Sequence, residues 1–161
     1  MRFICDDNLG KLAKYLRILG FDTSFREPIS NAKLLHAAAT EERFLITRDR
    51  RLTGASHPFG ILLLEDDNPL DQLKVTITQL DLTITTESIF RRCTKCNEIC
   101  TIIDKTQAAN HIFPYILQTK DIISQCPSCK RFYWKGTHYK KILQKLRSVI
   151  PDEAIEGRWP D

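Results

Sequence analysis

Two Cys-x-x-Cys pairs constrain this chain more than any other feature. The first lies in Arg92-Cys93-Thr94-Lys95-Cys96 and the second is Cys126-Pro127-Ser128-Cys129, with 29 residues between Cys96 and Cys126. Each pair offers two sulfurs to one ion, and four thiolates spaced this way can close a tetrahedron around Zn²⁺. The stretch between the pairs must double back, which is the layout of a zinc ribbon. Disulfides compete as a reading but need an oxidising compartment. A thioredoxin-like site would carry one pair at the start of a helix, not two in an irregular basic segment. A closed Cys₄ site leaves no open coordination position, so its expected role is to hold the fold and not to do chemistry. The other two cysteines, Cys5 and Cys100, lie in apolar, strand-like surroundings and read as small core residues.

Charge divides the chain around this feature. Residues 1–90 carry 11 Lys+Arg against 13 Asp+Glu, a net of −2, whereas residues 91–147 carry 12 against 3, a net of +9. Residues 148–161 return to −3. An acidic front part joined to a basic metal module suggests a polyanion held by one part and worked on by the other. At 161 residues the chain has room for one ordinary domain and a small one. The expected division is residues 1–82 and 91–147, with the junction near Thr83 to Arg91. Met1-Arg2-Phe3-Ile4-Cys5-Asp6-Asp7 does not read as a signal peptide, and the apolar runs are too short for a bilayer. The cytoplasm is therefore the expected compartment, with no membrane partner.

In chain order, residues 2–6 read as a short buried strand ending in Asp6 and Asp7. Leu9, Leu12, Ala13, Leu16 and Leu19 then recur on one helical face, and Gly20 stops that helix. Phe21 to Phe25 reads as a second strand. Ser30 or Asn31 can cap a helix running to about Arg43, closed by Glu41 and Glu42. Phe44 to Thr47 and Gly60 to Leu64 are further apolar strands, and Leu70, Leu73, Ile77 and Leu80 form another helical stripe. Short apolar strands alternating with helices predict an α/β fold, a parallel sheet sandwiched by helices. No glycine-rich phosphate loop follows any strand, which counts against a dinucleotide-binding or P-loop domain. Ile99 to Ile103 alternates well enough for a ribbon strand. Residues 104–125 give no assignable pattern. A basic helix with Ile142, Leu143 and Leu146 on one face follows His138, and the polar tail from Pro151 is expected to be loosely held.

Three acidic positions follow predicted strands: Asp6, Asp49, and the run Glu65-Asp66-Asp67. Parallel strands bring their C-terminal ends to one edge, where ligands gather in open α/β sheets. Clustered carboxylates either take up protons or bind a hard cation, and oxygen-only ligands favour Mg²⁺ or Mn²⁺. Such an ion activates water against a phosphodiester. The competing reading is that these acids cap helices or are solvated.

The segment from Phe3 through Asp6-Asp7-Asn8-Leu9-Gly10-Lys11-Leu12-Ala13 to Gly20-Phe21-Asp22 resembles the opening of the Mut-seven C-terminal RNase domain family. The resemblance continues at Arg43-Phe44-Leu45-Ile46-Thr47-Arg48-Asp49 and at both cysteine pairs, and it closes at Tyr133-Trp134-Lys135-Gly136-Thr137-His138. It covers roughly residues 2–145. It implies a PIN-like nuclease domain fused to a zinc ribbon, with Asp6 and Asp49 as acidic ligands of a catalytic ion. Arg17 falls on a family position and either meets a phosphate or forms a structural salt bridge. The chain departs from the family pattern at Ser30-Asn31, where an acid usually opens the second helix. Asn31 can still offer a carbonyl oxygen, and Glu42 is a candidate compensating acid. Lys130 stands where zinc ribbons often carry glycine. His138 either meets a phosphate or caps the last helix, and Trp134 either stacks on a base or packs the ribbon against the front domain.

The expected protein is a metal-dependent ribonuclease acting on RNA, single-stranded by preference, with structural Zn²⁺ and catalytic Mg²⁺ or Mn²⁺. Expected nucleic-acid contacts are Arg17, Arg48, Lys130, Arg131, Lys135 and His138. The alternatives are a non-catalytic nucleic-acid-binding protein and a zinc ribbon that docks a protein partner.

Overall fold

The computed structural model describes residues 1–150 except Arg26, Pro28 and Ile29; the tail from Pro151 lies outside the described residues. Four strands, β1 (Arg2–Cys5), β2 (Asp22–Phe25), β3 (Phe44–Thr47) and β4 (Ile61–Leu63), form a parallel sheet in the order β2-β1-β3-β4. Helix α1 (Gly10–Ile18) links β1 to β2, and α2 (Asn31–Thr40) carries the chain back across β1 to β3. The strand order therefore reverses between β1 and β3, and a crevice opens there at the carboxyl edge.

The alternation of side chains in each strand separates the two faces. Phe3, Cys5 and Ile46 face α1 and share a core with Leu12, Leu16 and, from α3 (Pro69–Gln79), Leu73. Ile4 and Leu45 point the other way, onto Leu34 and Ala38 of α2. Burial on both faces is why these strands read as continuous apolar runs.

The helix α2 ends at Thr40, three residues before the sequence reading placed its end. The Arg43 N–H bonds the Ala38 carbonyl and the Glu42 N–H the Ala39 carbonyl, with Glu42 at φ +54°. This is a Schellman turn, which needs a left-handed residue just past the helix. Helices α1 and α3 stop the same way, at Gly20 (φ +97°) and Asp81 (φ +46°). Only Gly20 announces itself in the sequence. It is also sterically required, because a Cβ there would lie 2.4 Å from the Ser88 carbonyl oxygen.

A second, antiparallel sheet is built from β5 (Thr101–Ile103), β6 (Ile123–Gln125) and β7 (Phe132–Trp134), in that order. The stretch that gave no pattern holds two short helices, α4 (Lys105–Ala108) and α5 (Pro114–Thr119). A capping box from Asp104 to Gln107 starts the first. The last helix, α6 (Thr137–Leu146), returns to the front sheet: Leu146 and Ile150 are buried in the same core as Leu12 and Leu16. The stretch 91–147, contiguous in sequence, thus shares a core with residues 1–82.

Arg17 joins the two parts more tightly still. It is buried, its Nε donates to the Thr23 carbonyl at 2.8 Å, and its Nη1 donates to the Thr94 and Lys95 carbonyls at 3.0 Å each. Neither the phosphate contact nor the salt bridge expected of it is what holds it; three backbone carbonyls do. Asn97 adds a second tie, accepting from the Thr23 N–H on edge strand β2 and donating to Asp22. Arg17→Met would strand three acceptors at this junction, and each unsatisfied buried acceptor costs about 1–3 kcal/mol. The expected outcome is a loss of about 3 kcal/mol in urea unfolding, with both sheets melting earlier. An unchanged midpoint would mean that water replaces the guanidinium at no cost.

Candidate active site and metal centre

Asp6 follows β1 directly and is 7% exposed. Its Oδ1 accepts from the Asn8 N–H at 3.2 Å, and its Oδ2 accepts from the Thr47 hydroxyl at 2.5 Å and the Arg48 N–H at 3.1 Å. The Thr47 oxygen in turn accepts the Asp49 N–H at 3.0 Å. One buried threonine at the end of β3 therefore ties the carboxylate of Asp6 to the backbone of Asp49. The family resemblance covers Thr47 within Arg43-Phe44-Leu45-Ile46-Thr47-Arg48-Asp49 but gives it no role; the structure makes it the link between the two acids.

Asp49 sits two residues beyond the end of β3, held on both sides. Its Oδ2 accepts from Asn31 Nδ2 at 2.8 Å, and both its oxygens accept from Arg51 Nε at 3.0 Å. The hydrogen bonds from Arg51 and Asn31 hold its carboxyl well below the usual carboxylate range. Asn31, the first residue of α2, thus stands in the cleft beside Asp49. Its amide nitrogen steadies Asp49, and its carbonyl oxygen is the atom it could offer an ion.

Asp6, Asp7, Glu27, Asn31, Arg48, Asp49 and Arg51 line one cavity of about 290 Å³. Among the described lining residues four carboxylates face two guanidiniums, the atoms they can offer a metal are oxygens, and such a set suits a hard divalent cation. Glu65, Asp66 and Asp67 do not line it. They follow β4, an edge strand two places from β1, and all three are exposed. Asp67 instead pairs with the Arg48 guanidinium. Glu42 is also absent from the lining: it precedes β3 while Asp49 follows it, so the strand's length separates them. Its place in a Schellman turn, not in the cleft, corrects the expectation of a compensating acid.

Arg51→Ala is expected to raise the Asp49 carboxyl toward its ordinary value of about 3.9. A depressed folded pKa gives stability that is present above the unfolded value and lost as pH falls below it. The variant should therefore lose less stability on acidification than wild type. Carboxyl-carbon NMR titration of Asp49 checks the shift directly, and an unmoved titration would remove Arg51 as its cause.

The sulfur atoms of Cys93, Cys96, Cys126 and Cys129 lie within 4.8 Å of one another, the Cys93–Cys129 pair at 3.6 Å. A tetrahedron of 2.3 Å Zn–S bonds has edges of about 3.8 Å, so the cluster has the dimensions of a zinc site. The two turns are alike. The Cys96 N–H approaches Cys93 Sγ and the Cys129 N–H approaches Cys126 Sγ, while the Asn97 and Lys130 N–H groups close back onto the carbonyls of Cys93 and Cys126. Burial opposes ionisation of Cys93, but hydrogen bonds from the Tyr133 hydroxyl and the Cys96 and Lys95 N–H groups outweigh it and bring the thiol down to about 6. Cys5 and Cys100 are not among the four: Cys100 is buried in the same cluster as Cys93 and Cys126, whereas Cys5 lies in the core of the front sheet, where burial beside Asp6 pushes its thiol far up.

Asn97 and Lys130 occupy the same place in the two turns, and both are left-handed, at φ +70° and +60°. That is the physical reason glycine is common there. A left-handed non-glycine residue costs about 1–2 kcal/mol, partly offset by the entropy glycine loses on folding. Lys130→Gly should thus stabilise the fold by about 0.5–1 kcal/mol in thermal unfolding. Asn97→Gly should do the opposite, because its side chain ties the turn to β2. Matching signs for the two variants would sink this account.

Of the expected nucleic-acid contacts, Lys130, Arg131 and His138 are exposed and Lys135 is half-buried, whereas Arg17 is buried. His138 does not cap α6: Gly136 is the N-cap and no side chain serves it. Trp134 packs close over Gly136, where a Cβ would come within 2.9 Å of its Nε1.

A parallel α/β sheet with paired carboxylates at its switch point, carrying a four-cysteine cluster in a second sheet, defines the class. The chain belongs to the Mut7-C RNase domain family, whose model matches residues 1–146. No curated protein and no solved structure matches it. Among the described residues, no helix is long and apolar enough to cross a membrane.

Proposed function

We propose that this protein is a metal-dependent ribonuclease with a PIN-like front domain, hydrolysing RNA phosphodiester bonds in the Asp6–Asp49 cleft. The observation that carries the reading is the Thr47 bridge, which ties the Asp6 carboxylate to the backbone of Asp49 and so sets both acids, from adjacent strand ends, against one cavity. Membership of an RNase domain family supports it. Mg²⁺ or Mn²⁺ held by Asp6 and Asp49 would polarise the phosphodiester and lower the pKa of the attacking water. The chain's own residues prepare the site. Thr47 and the Arg48 N–H lock the Asp6 carboxylate in one orientation. Asn31 and Arg51 do the same for Asp49. Arg48 and Arg51 supply the positive charge that draws a phosphate into an otherwise acidic cleft.

In this reading the four cysteines hold a structural Zn²⁺ in a ribbon, and the basic residues beside it bind the substrate. Single-stranded RNA is the proposed substrate and the cytoplasm the proposed compartment. A non-catalytic RNA-binding protein is the second reading. It is favoured by Asn31 in place of an acid and by the Arg51 guanidinium already balancing Asp49.

The test is cleavage of labelled single-stranded RNA with Mn²⁺ or Mg²⁺, wild type against an Asp6→Asn, Asp49→Asn double variant shown to be folded and zinc-loaded. Cutting that needs both the metal and the acids upholds the ribonuclease. Equal inertness with intact RNA binding transfers the protein to the second reading.

A further inference from the structure

A second cavity of about 770 Å³ runs between α5, β7 and α6, remote in sequence from the acidic cleft. Aromatic rings form much of its wall. His111 and Phe132 stack with centroids 5.7 Å apart and planes 24° apart, Trp134 lies along it, and Tyr115 stands 68% exposed at its edge. Among the described residues lining it none is acidic, while Lys14, Lys120 and Arg131 are cationic. A further groove shares Lys14, His138 and Ile142 with it and adds Lys11, Lys141 and Lys145, again with no acid among its described residues.

We propose that this aromatic groove seats unpaired bases of an RNA strand whose phosphates are held by the flanking lysines and Arg131. The inference deepens the ribonuclease reading and rests on its choice of RNA as substrate. Rings with open faces bind bases by stacking, and a base in a duplex has both faces already covered, so the groove selects single strands. Cations without acids along the same walls favour a polyanion over an apolar ligand or an ordinary protein surface. The helix α5 has no buried residue, so its face toward the groove is not committed to the protein's own core.

The groove is also connected to the cleft. Asn8 lines the cleft, Lys11 lines the further groove and Lys14 lines both grooves, all on or beside α1. From Asn8 to Lys14 the helical rise is about 10 Å, so a strand seated in the groove has a lysine track leading to the acids.

The experiment uses the full zinc-loaded chain carrying Asp49→Asn, so that the probe survives, and reads the anisotropy of a fluorescein-labelled octauridylate. Adding Tyr115→Ala should weaken binding about tenfold, the loss of one stacked base. Adding Lys120→Ala with Arg131→Ala should flatten the dependence of log affinity on log salt by about 1.4, the single-strand value for two phosphates. Duplex RNA of the same length should compete at least about tenfold less well than the strand. The proposal is overturned if Tyr115→Ala binds like its parent, if the duplex competes equally, or if octauridylate does not bind. Cleavage by the unmodified chain is scored separately. Cutting without these binding effects sinks the groove and leaves the nuclease standing; these effects without cutting do the reverse.

Discussion

Replacing Cys126 by serine, or stripping zinc with a strong chelator, is expected to unfold the small sheet and lower the stability of the whole chain by about 5 kcal/mol or more. The reason lies in what that sheet is made of. Its three strands have three residues each, and the buried cluster beside them consists of Cys93, Cys100 and Cys126, with Cys96, Cys129 and Tyr133 packed around it. Four thiols with no metal make a poor core. Bound to one ion, they fix both turns at once. The effect should not stop at β7. Arg17 and Asn97 tie the first turn to the front sheet, and α6 reaches from the second sheet into the core around Leu12. Loss of zinc should therefore expose amides in α6 and in edge strand β2, while β1 and β3 remain protected longest. Thermal unfolding with and without metal gives the magnitude, and hydrogen exchange gives the pattern. Equal melting temperatures for the metal-loaded and stripped chains would show that the cysteines are not a structural site.

The apolar runs Phe3–Cys5 and Phe44–Thr47 made the parallel sheet legible because both faces of those strands are buried. Parallel order brought Asp6 and Asp49 to one sheet edge, and the family resemblance singled out that pair. The same argument failed for Glu65 to Asp67, since spacing along the chain does not say which strand lies at the edge. Helix ends were legible only where glycine marks them: Gly20 reads as a stop, whereas Glu42 and Asp81 adopt the same left-handed turn with residues that do not advertise it. Arg17 could not be read at all. Two of its three partners lie 77 and 78 residues away, and all three are backbone carbonyls, which leave no trace in side-chain identity. Of the two short helices before β6, α4 is marked by Asp104 and Gln107 and α5 by Pro114 in its first turn, but at four and six residues both are too short for periodicity to show.

The two cleft acids should fail differently when neutralised. Asp49→Asn is expected to lower the cleavage rate at saturating Mn²⁺ by about 10³-fold, the scale of losing one preorganised charge from an active site. It should leave the fold intact, because Asp49 is partly exposed and its neighbours Asn31 and Arg51 can turn to water. Asp6→Asn should match it in rate and also cost about 2 kcal/mol of stability. Asp6 is buried, and its two oxygens accept from the Asn8 N–H, the Thr47 hydroxyl and the Arg48 N–H. An amide there must turn its NH₂ group toward at least one of those donors, and no rotation satisfies all of them. Asn31→Asp is the complement. A further carboxylate in the cleft, beside Asp49, adds negative charge, so Mn²⁺ should bind about tenfold more tightly, while the new repulsion raises the carboxyl pKa values of the pair. Single-turnover cleavage, urea unfolding and calorimetric Mn²⁺ titration on the three variants separate these effects. If Asp49→Asn cuts at the wild-type rate, the cleavage comes from elsewhere and the cleft is not the active site. If Asp6→Asn and Asp49→Asn are equally stable, the Thr47 bridge does not hold Asp6 in the way its geometry requires.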